Sequence, residues 1–519
     1  MSASIIIGSR GSDLALWQAH FVRDQLTQLG YSVQIEIIKT QGDRIQHLSF
    51  DKLEGKGFFT KELEEALLEG RIDLAVHSHK DLPTTAPDGL QVAGVSYRED
   101  CSESLLIRND CYDPLLPLHV KYGATVGTSS LRRKSQLQHL RPDLHIIDLR
   151  GNVPTRVQKL REGNYDAVML ACAGLNRLAL DLQGIHREVL SPRQFIPAPA
   201  QGVLAYQIRE NDTRIEEAIR AIHHPDIAQQ IYAERKVLNQ LDGGCQLPLG
   251  VYCEPHRDKL RAWASLLPLD GSPFRTVFAE SFNPETLAGK LLDALRRNGN
   301  RNVYISRDAD EAPLFISMVT ATGDRVIAHN PVAYQTVEVP VIPYADWIFF
   351  SSIRTVSHFF EQDLAIPANV RIAALGSGTA AALRQRGFEP EFMGADGATR
   401  DTAEAFLPLA RQTEVLFPVA ENSLRSIQKG IEAHCRVHDV VVYRSEPAVL
   451  PASIDADIYV FTSPGTVEAF VDQLGLPQGP VVSIGKTTSE ALRKAGIPYC
   501  HQAPFTNEVS LAQMVNGLA

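Results

Sequence analysis

The chain has 519 residues, 44% of them hydrophobic and 22% charged, enough for about three or four domains that each bury a core. Its 61 acidic residues outnumber 51 lysines and arginines, and the formal net charge of -10 disfavours a nucleic-acid partner. No apolar run reaches membrane-spanning length, the start Met1 to Ile7 lacks a leader, and the seven cysteines include no Cys-x-x-Cys pair, so a cytoplasmic protein without disulfide framework or zinc knuckle is expected.

Apolar strand-like runs alternate with amphipathic helical stretches almost throughout, the pattern of α/β units around mainly parallel sheets. Ile5-Ile6-Ile7 leads through Gly8-Ser9-Arg10-Gly11-Ser12 into a helix with Leu14, Trp17, Phe21, Val22 and Leu26 on one stripe, capped by Ser12 and stopped by Gly30. Leu74 to Leu82 reads as a buried strand ending in a polar turn that holds Lys80 and Asp81. A surface turn or cap is the commoner role of such a pair. Yet α/β folds place ligand chemistry beyond the carboxyl ends of strands, which makes Asp81 the best carboxylate for proton transfer or cation stabilisation. His77 and His79 share a strand face, but with no third ligand nearby no metal is expected.

From Arg132 to Arg161 eight basic residues stand against two acids, Asp143 and Asp148. Two strand, turn and helix junctions fall around this stretch: Thr125-Val126-Gly127 before Leu131 to Leu140, and Ile146 to Leu149 before Arg156 to Arg161. Free amides at a helix start form an anion seat, and Arg10, Arg132, Arg133, Arg150 and Arg156 lie on or beside such seats, so the partner is a small anion. Arg177 follows the strand Ala167 to Ala171 and is a further candidate for the same cleft.

Gly243-Gly244-Cys245-Gln246 is a sterically open loop in which a thiol can be reached and can swing. A buried inert cysteine is the alternative; near the arginine cleft the positive field would favour thiolate and make Cys245 a nucleophile. A polar stretch from Arg296 to Asn302 suggests a boundary, and beyond it lies a repeat. Ile348 to Ser352 resembles Tyr459 to Ser463, and Leu375-Gly376-Ser377-Gly378-Thr379 resembles Ile484-Gly485-Lys486-Thr487-Thr488. Two similar α/β lobes follow, with Tyr334 to Val341 and Tyr443 to Pro447 as crossings. Gly376-x-Gly378-x-x-Ala381 matches a dinucleotide fingerprint, but its repeat partner lacks the second glycine, which favours a generic tight turn.

Seven ordered motifs carry a resemblance: Arg10-x-Ser12-x-Leu14-Ala15, Gly55-Lys56-Gly57, His77-Ser78-x-Lys80-Asp81, Gly127 to Arg133, Leu149-Arg150-Gly151-Asn152 with Thr155-Arg156, Pro199-Ala200-Gln201-Gly202, and Gly243 to Gln246. Together they resemble the porphobilinogen deaminase (hydroxymethylbilane synthase) family over roughly residues 4 to 298. The resemblance implies two periplasmic-binding-protein-like lobes, lobe 1 at about 1–102 with 199–222 and lobe 2 at about 103–198, then a small α+β domain at 223–298 carrying the cysteine loop. It implies that four porphobilinogen molecules lose ammonia and join head to tail on a dipyrromethane primer, thioether-linked to Cys245. Asp81 would be catalytic. Lys80, Thr128, Ser130, Arg132, Arg133 and Arg150 would hold the primer's carboxylates, and Arg10, Ser12, Arg156 and Arg177 the substrate or growing chain. Phe50 to Phe59 would be a lid, and a monomer is the family expectation. Pro154 departs from a usual glycine and deletes an amide donor beside Arg156; His79 and Asp242 replace a common methionine and glutamate.

Residues 302–519 resemble the uroporphyrinogen-III synthase family, on Phe461-Thr462-Ser463-Pro464, Ile484-Gly485-x-Thr487-Thr488 and Val442-Tyr443-Arg444, although Ser306-Arg307-Asp308 departs from its pattern. Tyr443, Ser463, Thr487 and Thr488 are the candidates for binding carboxylates or polarising the leaving hydroxyl, with helix capping as the alternative. The expectation is a bifunctional enzyme of tetrapyrrole and heme biosynthesis. A deaminase with an inert appendage and a non-catalytic anion-binding protein are the rivals, the second disfavoured by the exposed thiol loop.

Overall fold

A computed structural model describes residues 4–39, 60–114, 116–241, 247–394 and 399–518. The expected lid, Phe50 to Phe59, with Gly55-Lys56-Gly57, and the loop Asp242 to Gln246 with Cys245 lie outside the described residues.

The amino-terminal half holds two five-stranded sheets. In the first the order is Val33–Ile37, Ile5–Ser9, Leu74–Ser78, Leu204–Arg209, Leu90–Val95. In the second it is His145–Ile147, Thr125–Gly127, Ala167–Ala171, Glu103–Arg108, Ile185–Leu190. Ile5 and Ile7 of Ile5–Ser9 pack with Val22 and Leu26 of the helix Asp13–Gln28 and with Val76 and Tyr206 in one buried cluster. Ser12 caps that helix, its Oγ accepting from Ala15 N at 3.4 Å, and Gly30 at φ +91° follows its end.

Neither sheet is purely parallel, although parallel pairs predominate over the four α/β sheets of the chain, as the alternation of strands and helices predicts. Leu204–Arg209 and Glu103–Arg108 each run antiparallel to both neighbours. The reason is connectivity: the chain crosses between lobes twice, and each of these strands is the first after a crossing, so it starts at the hinge where its neighbours end. Glu103 therefore pairs with Ala171, and Leu204 with Ser78. At the hinge Gly202 has φ +88°, and a β-carbon there would lie 2.3 Å from Glu99 O, so the two crossings approach at backbone distance.

Next in sequence is a three-stranded antiparallel sheet, Leu249–His256, Lys259–Leu266 and Arg275–Ser281. One face is covered by the helices Pro225–Gln240 and Pro284–Arg296 through Val237, Leu287, Leu291 and Leu295. Trp263 and Phe278, on the other side, join Phe315, Met318, Leu511 and Val515 from the carboxyl-terminal half in a single core.

That half has two sheets of its own. The five-stranded one is fully parallel, ordered Arg325–Ala328, Asn302–Ile305, Ile458–Phe461, Val481–Ser483, His501–Gln502. The six-stranded one is ordered Val332–Thr336, Arg436–Pro447, Glu414–Ala420, Trp347–Phe350, Arg371–Ala374, Phe392–Met393. The two crossing segments pair antiparallel with each other, Tyr334 opposite Ser445 and Thr336 opposite Tyr443.

Candidate active site

Turns just beyond the strand ends bring the charged groups of the two lobes together. After Leu74–Ser78 a single 3-10 turn, His79–Asp81, leaves Asp81 exposed and Lys80 half-buried. Lys80 Nζ donates to Gln201 Oε1 at 3.0 Å, and Gln201 Nε2 donates to Cys101 O at 2.8 Å, so the hinge fixes the ammonium. From lobe 2, Arg132 and Arg133 open the helix Leu131–Leu140 and turn inward. Their Nη2 atoms donate to the two oxygens of the fully buried Glu103 at 2.6 and 2.7 Å, and their Nη1 atoms to Ile196 O and Met169 O, each at 3.0 Å.

Lys80 feels Asp81, Arg133, Glu103 and Arg132, while Arg156 feels Arg133, Arg150 and Asp81. Among the described residues, then, the cations Lys80, Arg132, Arg133, Arg150 and Arg156 face the carboxylates Glu103 and Asp81. Burial raises the Glu103 carboxyl, but Arg133, Arg132 and Lys80 overcome that and hold it down at about 2. The surplus is positive: burial, helped by Arg133 and Arg132, pulls the Lys80 ammonium down to about 8. Burial, Arg133 and Arg150 also pull the Arg156 guanidinium down. Arg133 Nε is buried with no hydrogen-bond partner. Such a cleft suits a ligand with several carboxylates, each of which would relieve repulsion already built in.

The remaining sequence candidates divide. Thr128 is buried and its Oγ1 accepts from Ser130 N at 3.3 Å; Ser130 precedes the helix Leu131–Leu140 without capping it through its side chain. Arg156 Nε donates to Gly151 O at 2.8 Å. Pro154 lies in the first turn of the helix Val153–Arg161, where a proline forfeits no intrahelical hydrogen bond. Arg177 packs into the contact between lobes: its Nη2 donates to Gly202 O at 2.8 Å and its guanidinium stands 5.5 Å from the Trp17 ring centroid. Arg10 follows the strand Ile5–Ser9 and bears on buried His77, whereas Ser12 accepts the helix-cap hydrogen bond with its hydroxyl oxygen, a contact that does not use the hydroxyl hydrogen. His77 Nε2 meets Gln207 Oε1 at 3.0 Å.

In the amino-terminal half two features escaped the sequence reading. Glu103 opens an apolar strand, where an acid ordinarily marks a solvated strand end and so gives no signal of a buried charge. Arg235, ten residues before Cys245, donates from Nη1 to His79 O and Leu82 O at 3.1 and 3.2 Å and from Nη2 to Pro83 O. The helix that leads to the cysteine loop thus clamps the turn bearing Asp81. Beside it Arg98 Nη1 bonds buried Glu234 Oε1 at 2.6 Å, and Glu234 also accepts from Ala200 N and Cys253 N. The signal available was a basic residue within an amphipathic helix that stops at Gln240, shortly before Gly243-Gly244-Cys245 in the sequence.

In the carboxyl-terminal half, Ser463 caps the helix Pro464–Leu474 and Ser352 caps Ile353–Phe360, each with threonine three residues on. Thr488 is buried and Thr487 exposed at the start of Lys486–Lys494. The Tyr443 ring lies 5.8 Å from Tyr334 and 4.9 Å from His358. Arg354, also missed, sits 3.6 Å from the Tyr334 ring centroid and bonds Glu311 Oε1 at 3.1 Å, joining the two sheets' lobes. Burial raises the Tyr443 hydroxyl, against the pull of Arg354.

Two α/β lobes whose facing turns carry a surplus of positive charge define the class, a two-lobed scaffold whose cleft suits a polycarboxylate. Residues 5–217 match the family model described as porphobilinogen deaminase, dipyromethane cofactor binding domain; 228–295 match its C-terminal domain; 326–513 match uroporphyrinogen-III synthase HemD. The chain is 47% identical over 270 residues to porphobilinogen deaminase of Maridesulfovibrio salexigens, covering 52% of this chain and 86% of that one. It is 40% identical over 317 residues to the Syntrophotalea carbinolica enzyme, covering 60% and 99%. The crystal structure of Helicobacter pylori uroporphyrinogen-III synthetase matches 41% of this chain and 96% of its own at 20% identity, with a TM-score of 0.33. The chain belongs to the porphobilinogen deaminase family and continues into a uroporphyrinogen-III synthase domain, which makes it a bifunctional tetrapyrrole-biosynthesis enzyme.

Proposed function

We propose that residues 1–298 assemble four porphobilinogen molecules and one water into hydroxymethylbilane with release of four ammonia, and that residues 302–519 close that product with loss of water and inversion of its last ring. The supporting observation is the surplus of buried and half-buried cations in the interlobe cleft, which an oligopyrrole bearing acetate and propionate arms would neutralise. The donor set suits a dipyrromethane on Cys245: Arg133 carries an unsatisfied buried N–H, and Lys80, Thr128, Ser130, Arg132, Arg133 and Arg150 would hold its carboxylates. When bound, that group supplies the nucleophilic pyrrole carbon from which the chain grows.

The chain's own residues do the rest. Loss of ammonia from the aminomethyl group of porphobilinogen leaves positive charge on the pyrrole, and Asp81, an exposed carboxylate on a clamped turn, stabilises it and moves the pyrrole proton. Arg10, Ser12, Arg156 and Arg177 bind incoming substrate or the elongating chain. In the second half Tyr443, with Arg354 and Ser352 beside it, and Ser463, Thr487 and Thr488 bind the bilane or assist hydroxyl loss. We further propose a cytoplasmic monomer. The six described cysteines are free thiols, and the second face of the three-stranded sheet is covered by the chain itself. The test gives full-length protein porphobilinogen alone. Type III uroporphyrinogen is expected, type I alone refutes activity of the second half, and Asp81→Asn should abolish both. Intact mass of wild type and Cys245→Ser reads the thioether separately.

A further inference from the structure

We propose that lobe 2 carries a divalent transition-metal site, of the chemistry that suits Zn2+, formed by His119, His186 and Glu188. His186 and Glu188 are two residues apart on the edge strand Ile185–Leu190 and so share a face. His119 Nδ1 lies 2.8 Å from Glu188 Oε2, and His186 Nε2 lies 3.4 Å from that same oxygen. One ligand atom from each residue falls within 4.8 Å of the others. A tetrahedral ion with ligands at about 2.0–2.2 Å separates them by roughly 3.3 Å, so small side-chain rotations suffice to close three arms on one ion. Two imidazoles and a carboxylate with a fourth position open to water favour a borderline cation over Ca2+ or Mg2+.

The backbone and neighbouring rings place these groups for that purpose. Leu118 and His119 both occupy left-handed conformations, φ 63° and 52°, unfavourable for successive residues with β-carbons. The loop is pinned by the Tyr112 to Val120 bridge and by Asp113 N donating to His119 O at 2.9 Å. The Tyr112 ring lies 3.9 Å between centroids from His186, fixing the plane of that imidazole. A bound ion would staple this loop to the edge strand, away from the residues assigned to deamination.

Chelator-treated full-length protein is titrated calorimetrically with ZnCl2, with Co2+ absorption as a second readout of a tetrahedral nitrogen and oxygen site. One equivalent is expected, and His186→Ala and Glu188→Gln should each weaken it by at least about tenfold with deaminase activity unchanged. Glu188→Gln keeps the side chain's shape, so it separates lost ligation from lost packing. Failure of the wild type to bind Zn2+, or unchanged stoichiometry and affinity in both variants, overturns the site.

Discussion

Glu103 shows most sharply how one residue governs the cleft. Its carboxylate neutralises two guanidinium groups that would otherwise repel each other and Lys80. Because its folded pKa of about 2 lies below the ordinary value of 4.5, its contribution is complete above pH 4.5 and is lost as pH falls toward 2. Glu103→Gln should therefore cost about 3 kcal/mol at pH 7 and little at pH 2, measured as the difference in denaturant midpoints at the two values. Lys80 acts at the other limb. Its ammonium discharges as pH rises through about 8, removing one positive charge from the cleft, so kcat/KM should fall there. Lys80→Arg stays charged and should move that limb upward; an unmoved limb would show that another group controls it. Caps were legible at this scale, as Ser12 shows, since a hydroxyl before an amphipathic run has few other uses. The direction of Arg177 was not, because Gly202 and Trp17 are remote from it in sequence.

Elements position these residues, and their ends matter more than their middles. The helix Pro225–Gln240 ends just before the cysteine loop, and Arg235 within it holds three carbonyls of the Asp81 turn. Arg235→Gln should lower kcat by about a hundredfold while leaving unchanged any adduct that intact mass detects on the wild type, since small displacements of a reacting group carry that scale of penalty. Pro154 makes a contrasting case. In the first turn of Val153–Arg161 its missing N–H was never part of the helix, so Pro154→Ala should leave thermal stability within about 0.5 kcal/mol. Period and turn chemistry announced most elements. They did not announce that Glu103–Arg108 and Leu204–Arg209 run against their neighbours, because strand direction depends on which lobe the chain has just left.

The two catalytic halves share a core. The helix Glu508–Gly517 lies so close to Arg275–Ser281 that a β-carbon on Gly517 would fall 1.7 Å from Phe278 O, and Asn516 Nδ2 reaches Thr276 O at 3.1 Å. The polar joint between the halves is held too: Arg297 and Arg301 both bond the buried Asp324, at 3.2 and 2.8 Å. Removing residues 302–519 would bare Trp263 and Phe278, each a large apolar side chain whose burial is worth about 1.5–3 kcal/mol. The truncated deaminase is expected to lose solubility or melt earlier than the full chain in a thermal scan, with Trp263→Lys partly restoring solubility. A truncated half that melts as the full chain does would show that the shared core contributes little.

The sequence alone determined what is local or repeated. Helix caps, the arginine-bearing turns, and the duplication that sets Ser352 and Ser463 at equivalent starts of helices are written in short-range periodicity and turn chemistry. Tertiary structure alone decided which charges meet. Glu103 lies 29 residues from Arg132 in the same lobe and meets it only through the packing of Leu131–Leu140 on the sheet, whereas Arg235 lies 156 from His79, so that only the double crossing of the hinge and the docking of the three-stranded sheet bring that pair together. A contact that depends on two chain crossings leaves no trace in the spacing of either partner.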